Sequence, residues 1–225
     1  ALFLSDSLHN IDIKIQANNG LAKTYVGLRN FSEAEKYLKQ GEKLLPYMRG
    51  RQKFFYYNTL GNFYYYKEDV QNTLRVFRMM NQQLDSIATN QFDKNLTWVN
   101  LADAYVKAGL IDSARIYQNK CRDFFVKTNN RLALYYLDTQ NIAILLRQNK
   151  LNEVKKILDK KNGYTNIQSD QQYIRDKYLL DYFTRVGDDH NALIYLKKIT
   201  HVGDSVRTEV QRFATAETAY RYEVD

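Results

Sequence analysis

Residues 98–121 read W-V-N-L-A-D-A-Y-V-K-A-G-L-I-D-S-A-R-I-Y-Q-N-K-C, and their spacing sets the architecture. Trp98, Leu101, Ala102 and Tyr105 follow one another at three, one and three residues, which stacks them on one stripe of a helix. Gly109 ends that helix, and Ala114 opens a second one with a small side chain. Large side chains opposite a small one let two antiparallel helices nest. A hairpin with one apolar stripe cannot bury it alone, so the unit is expected to recur along the chain.

It recurs. Leu21 and Ala34, Leu60 and Thr73, Leu101 and Ala114, and Leu179 and Ala192 are each 13 residues apart. In a fourth copy Val154 takes the small-residue place and Asn141 stands where the leucine is expected, with Ile142 and Leu145 keeping the stripe apolar. The markers Ala34, Thr73, Ala114, Val154 and Ala192 are 39, 41, 40 and 38 residues apart. This predicts an all-α fold of five hairpins at about residues 9–48, 49–89, 90–128, 129–162 and 168–202, a repeat array over residues 1–202. After Gly203 the rhythm changes, and Asp204-Ser205 reads as the cap of a separate closing helix within residues 203–225. Further caps are expected at Ser32 with Glu35, at Ser169 with Gln172, and at the polar pairs in Ser5-Asp6-Ser7-Leu8 and Leu84-Asp85-Ser86-Ile87. Pro46 closes the first hairpin.

Composition agrees with helices. The chain is 44% hydrophobic and 26% charged, so it can fold, and one proline with nine glycines leaves few turn signals for an all-β chain. Nineteen tyrosines and eleven phenylalanines read chiefly as packing between helices. A net charge of +8 permits an anionic partner without requiring one, because Lys and Arg are spread along the chain. The single cysteine, Cys121, excludes an internal disulfide and reads as a small buried residue. No run of 18 apolar residues marks a membrane span within this sequence. Both ends read as cut from something longer.

No catalytic constellation appears. His9, His190 and His201 each stand alone, and no phosphate-loop, dinucleotide or nucleophile-elbow motif occurs. Acidic residues such as Asp176, next to Lys177, read as helix-surface charge. An enzyme is not expected, and neither is a cofactor or a metal.

The repeated pattern resembles the tetratricopeptide repeat, with W-x-x-L-G-x-x-Y on one helix and A-x-x-x-F on the next. The most specific matches are Leu60, Gly61 and Tyr64 with Phe77, and Trp98, Leu101 and Tyr105 with Ala114. The family's period is about 34 residues. The 38 to 41 found here predict longer helices and deep walls. The resemblance implies an α-α superhelix whose first helices line a concave, peptide- or protein-binding groove. Carried over, it places Lys23, Asn58, Asn62, Tyr65, Tyr66, Asp103, Lys107, Arg147, Lys177, Asp181 and Arg185 on that inner side. Asn, Lys, Arg and Tyr suit the grip of an extended peptide's amides and carboxylates. Asn19, Lys23, Asn58 and Asn62 do not reproduce the carboxylate clamp of the family's chaperone-binding members.

The stretch from Asp204 to Glu223 also resembles the close of the repeat region in bacterial membrane-anchored regulators with a histidine-kinase or helix-turn-helix output. That implies a non-catalytic sensor module on the periplasmic side, with a transmembrane helix following it. The alternatives are a basic helical solenoid binding nucleic acid, and a cytoplasmic peptide receptor attached to a transcriptional regulator.

Overall fold

The computed structural model describes residues 11–87, 90–160, 164, 167 and 169–224, with side chains excepted at 169, 170, 206, 207, 209, 210 and 213–224. The helices are α1 (Ile11–Gly27), α2 (Phe31–Leu44), α3 (Arg51–Tyr66), α4 (Val70–Gln82), the short α5 (Leu84–Ile87), α6 (Gln91–Lys107), α7 (Ile111–Lys127), α8 (Arg131–Arg147), α9 (Leu151–Asp159), α10 (Ser169–Arg185) and α11 (Asp189–Val224). No strand occurs among the described residues. The fold is the all-α helical-repeat class, built of antiparallel pairs α1/α2, α3/α4, α6/α7, α8/α9 and α10/α11. Two compact units divide the chain, residues 1–121 and 122–225.

Every pair turns in the same way, which explains the constant 13-residue step. Five residues before each marker the backbone enters the left-handed region: Arg29 (φ 57°), Glu68 (61°), Gly109 (75°), Asn149 (55°) and Gly187 (73°). The next amide reaches back to the first helix, as in Asn30 N–H to Tyr25 C=O (3.0 Å), Leu110 to Tyr105 (3.0 Å) and Asp188 to Phe183 (2.9 Å). The left-handed residue itself bonds the carbonyl three residues back, as in Arg29 to Val26 (3.1 Å). These are the paired bonds of the Schellman motif, which satisfy last-turn carbonyls and leave one possible turn length. In three of the five pairs the side chain of the residue after the left-handed one then caps the second helix. Asn30 accepts from Glu33 N–H, Asp69 from Asn72 N–H and Asp188 from Asn191 N–H.

Four of the five markers do what their size predicts, while Ala192 is only half-buried. Ala34, Thr73, Ala114 and Val154 are at most 1% exposed. Nine residues before and three after a marker, aromatic rings stack: Tyr25 on Tyr37 (5.5 Å, 4°), Tyr105 on Tyr117 (5.6 Å, 15°) and Phe183 on Tyr195 (5.4 Å, 9°). In the second pair the close approach is between Gly61 and Phe77. A methyl group on Gly61 would lie 2.5 Å from Phe77 Cζ. In the first unit a core joins α1, α2 and α3 through Ile15, Val26, Leu38, Met48 and Phe63. In the second, Ile142, Leu146, Val154 and Leu179 form another.

Several local expectations are corrected. Asn30, not Ser32, caps α2, because the Schellman turn ends there. Leu84-Asp85-Ser86-Ile87 is itself the short helix α5, and Asn90 caps α6 by accepting from Asp93 N–H at 2.8 Å. No new helix starts at Asp204. α11 runs unbroken through Gly203, whose lack of a side chain costs only about 1 kcal/mol and does not stop a helix. The residues beyond the usual repeat length go partly into helix, as in the 17-residue α7, and partly into connectors such as the 3-10 turn Leu45–Tyr47 around Pro46. Asp176 is not on the surface but 5% exposed, and burial raises its pKa against the opposing pull of Lys198 and Arg175. Cys121 is buried as expected. The pair at Ser5-Asp6, the side chain of Ser169 and His9 lie outside the described residues.

Candidate functional site

In the first unit, seven of the eleven candidate residues sit on α1, α3 and α6, the first helices of three successive pairs. Asn58 Oδ1 accepts from Asn100 Nδ2 at 2.7 Å, tying α3 to α6 midway along their length. At their C-terminal ends, Lys107 Nζ donates to the Tyr65 carbonyl at 2.8 Å and lies 3.6 Å from the centroid of the Tyr65 ring. The buried Tyr65 hydroxyl lies beside the Asp103 carboxylate. Burial raises the Asp103 pKa, while the neighbouring Tyr65 hydroxyl and the Lys107 charge pull it back. Tyr66 is half-buried beneath the Arg29 guanidinium, 3.3 Å from its ring centroid. Lys23 is exposed on α1, and Asn62 is half-buried on α3.

In the second unit, Arg185 forms an ion pair with Asp181 (2.8 Å) and donates to the Leu146 carbonyl at 2.8 Å. Lys177 is exposed near the Tyr173 ring (5.8 Å), and Arg147 is exposed at the end of α8. Lys107 and Arg185 hold the same place in their repeats, seven residues before Ala114 and Ala192. Each donates to a last-turn carbonyl of the preceding first helix that also accepts the turn's own amide, Glu68 N–H to Tyr65 C=O (3.2 Å) and Asn149 N–H to Leu146 C=O (3.0 Å). Their charged ends therefore join one repeat to the previous one.

Sequence reasoning missed three contributors. Asn100 and Arg29 belong to the same face, and the 42-residue separations of Asn58 from Asn100 and of Tyr65 from Lys107 are a signal that could have found the first. The third is a cleft of about 340 Å³ among α2, α3 and α4, lined by Lys39, Glu42, Tyr57, Tyr64, Lys67 and Arg75 among others. It lies between two second helices, and burial there raises the Tyr57 pKa.

The described side chains include no group of three or more His, Cys, Asp or Glu able to hold a metal. His190 and His201 are exposed. No helix among the described residues is long and apolar enough to cross a membrane. Paired helices at a fixed register, joined face to face by polar side chains, define a helical-repeat interaction module. Two segments are similar to the Tetratricopeptide repeat family, whose model matches residues 15–46, covering most of α1 and α2, and 97–121, covering parts of α6 and α7. Searches of curated proteins and of solved structures found no match.

Proposed function

We propose that this chain binds an extended peptide or protein segment along the polar face of its first helices, as the sensor region of a bacterial signal-transduction or transcriptional regulator. The observation that carries the binding reading is the pair of polar ties between α3 and α6, Asn100 to Asn58 and Lys107 to the Tyr65 carbonyl, which hold these side chains in place. Side chains already fixed lose little rotamer entropy when a ligand arrives, so their remaining polar valences are preorganised for peptide amides. Lys23 and Asn62 flank these ties and supply the adaptable contacts. The sensor role, and the periplasmic placement that goes with it, are supported by the likeness of the closing helix to membrane-anchored regulators.

Selection from a displayed random-peptide library tests the binding face. Peptides that bind the chain should lose about tenfold or more in affinity when Lys23→Ala and Asn62→Ala are combined, and be unchanged by Lys43→Ala on α2. Selected peptides indifferent to the Lys23 and Asn62 changes would remove the reading. A topology reporter fused to the complete gene product tests placement, and a cytoplasmic result would remove the sensor role described here while leaving the binding face intact.

A further inference from the structure

The fourth repeat departs from the others at the leucine position, where Asn141 stands, and like the fifth repeat with Asp176 it carries a carboxylate three residues earlier, Asp138. Sixteen and thirteen residues before Val154 stand Asp138 and Asn141, where the third repeat has Trp98 and Leu101. Its second helix, α9, is also short, with nine residues. A cleft of about 700 Å³ lies within the second unit beside this short helix, bordered by the end of α7, by α8, and by Ile157, Lys160 and Tyr164.

One wall is Tyr164, and it is anchored. Its hydroxyl donates to the Asp138 carboxylate, its ring meets Tyr135 edge-on at 5.4 Å, and the Arg175 guanidinium lies 5.8 Å from its centroid. Burial and the Asp138 carboxylate together hold the Tyr164 hydroxyl in its neutral, donating form. Asp138 is the one carboxylate among the described lining residues, and this bond disperses its charge. Against it stand three cations, Arg122, Arg131 and Lys160, around an apolar strip of Leu134 and Ile157.

We propose that this cleft binds an acidic peptide segment bearing one apolar side chain. The carboxylates would meet Arg122, Arg131 and Lys160, and the apolar group would lie on Leu134 and Ile157. Guanidinium groups favour carboxylates because their forked donors match both oxygens. None of the eleven residues of the first-helix face lines this cleft, so the proposal stands apart from that reading.

The test uses a fluorescein-labelled peptide, Glu-Glu-Leu-Glu-Glu, titrated with the whole chain and followed by anisotropy at roughly 50 and 200 mM salt. Binding is expected, weaker at the higher salt, and absent for Lys-Lys-Leu-Lys-Lys. Arg131→Glu with Lys160→Glu should lower affinity by about tenfold or more. Lys155→Glu with Lys156→Glu, an equal change in net charge on exposed positions outside the cleft, should change it by less than about twofold. Should the first double variant fail to fold, the neutral pair Arg122→Gln with Lys160→Gln carries the same expectation. Equal loss in both charge-reversed variants, no binding at the lower salt, or displacement of the peptide by a polyuridylate probe at lower concentration than by unlabelled peptide would overturn the proposal.

Discussion

Gly61→Ala should destabilise the protein, although on helix propensity alone it should stabilise it. Gly61 lies inside α3, where alanine is favoured over glycine by about 1 kcal/mol. The new methyl group, however, would sit 2.5 Å from Phe77 Cζ and 2.6 Å from Cε1, when carbon atoms are at ease at about 3.5–4.0 Å. Phe77 is 1% exposed, so the ring has no open side to move into, and relief requires α3 and α4 to separate by about 1 Å. Overpacking of this kind costs about 1–3 kcal/mol, which leaves a net loss of roughly 1 kcal/mol. Gly20→Ala supplies the control. Gly20 is also inside a helix but has nothing within 4 Å of the added methyl, so the propensity gain of roughly 0.5–1 kcal/mol should appear undiminished. In thermal melts followed by helical circular dichroism, the first variant should melt about 2–4 °C below the parent and the second by a similar amount above it. Adding Phe77→Leu to Gly61→Ala should recover part of the loss, with a coupling of about 1 kcal/mol between the two sites. If Gly61→Ala proves as stabilising as Gly20→Ala, the close packing of α3 on α4 described here is wrong.

Glu68→Gly should raise stability by about 0.5–1 kcal/mol, read as a higher urea midpoint, because the left-handed turn residue no longer carries a side chain against the following carbonyl. Asp69 is held below the usual carboxylate range by hydrogen bonds from the Asn72 side chain and then its backbone N–H. Its pKa falls on folding, so the unfolded chain binds more protons in that window. Its stabilising contribution is complete above the ordinary carboxylate pKa and is lost as pH falls through the lower folded value. Asp69→Asn should keep the cap but flatten the acid limb of a pH–stability curve, and Asp69→Ala should lose about 1 kcal/mol near neutral pH. Lys107→Met should lower the urea midpoint by the equivalent of about 1 kcal/mol, since the Tyr65 carbonyl loses its cross-helix donor, whereas Lys23→Met should leave it unchanged.

The helix pairs and their register were open to reading because their causes are local. Trp98, Leu101 and Tyr105 recur at the helical period, and Ala114 is small where two helices must touch, both properties of one short window. The caps were less legible. Only two of the five left-handed turn residues are glycine, so Arg29, Glu68 and Asn149 gave no sign of the turn, and Ser32 offered a better-looking cap than Asn30. Gly203 carried the opposite error, a glycine inside a helix taken for its end. Asp176 looked solvated beside Lys177, but neighbouring residues on a helix point in different directions, and only packing buries one of them.

From the order of its residues alone, this protein is a chain of helical hairpins with a constant internal step, because the helix period and the volume of single side chains act over a dozen residues. Which polar groups form the candidate face was decided by the tertiary structure. Lys107 and Arg185 look like ligand-gripping cations in sequence, yet each closes the end of a helix 42 or 39 residues earlier. The open polar cleft beside Tyr164 likewise depends on where α9 stops and what then folds across Asp138. Such contacts depend on how whole helices stack, and no local pattern along the chain records the distance between them.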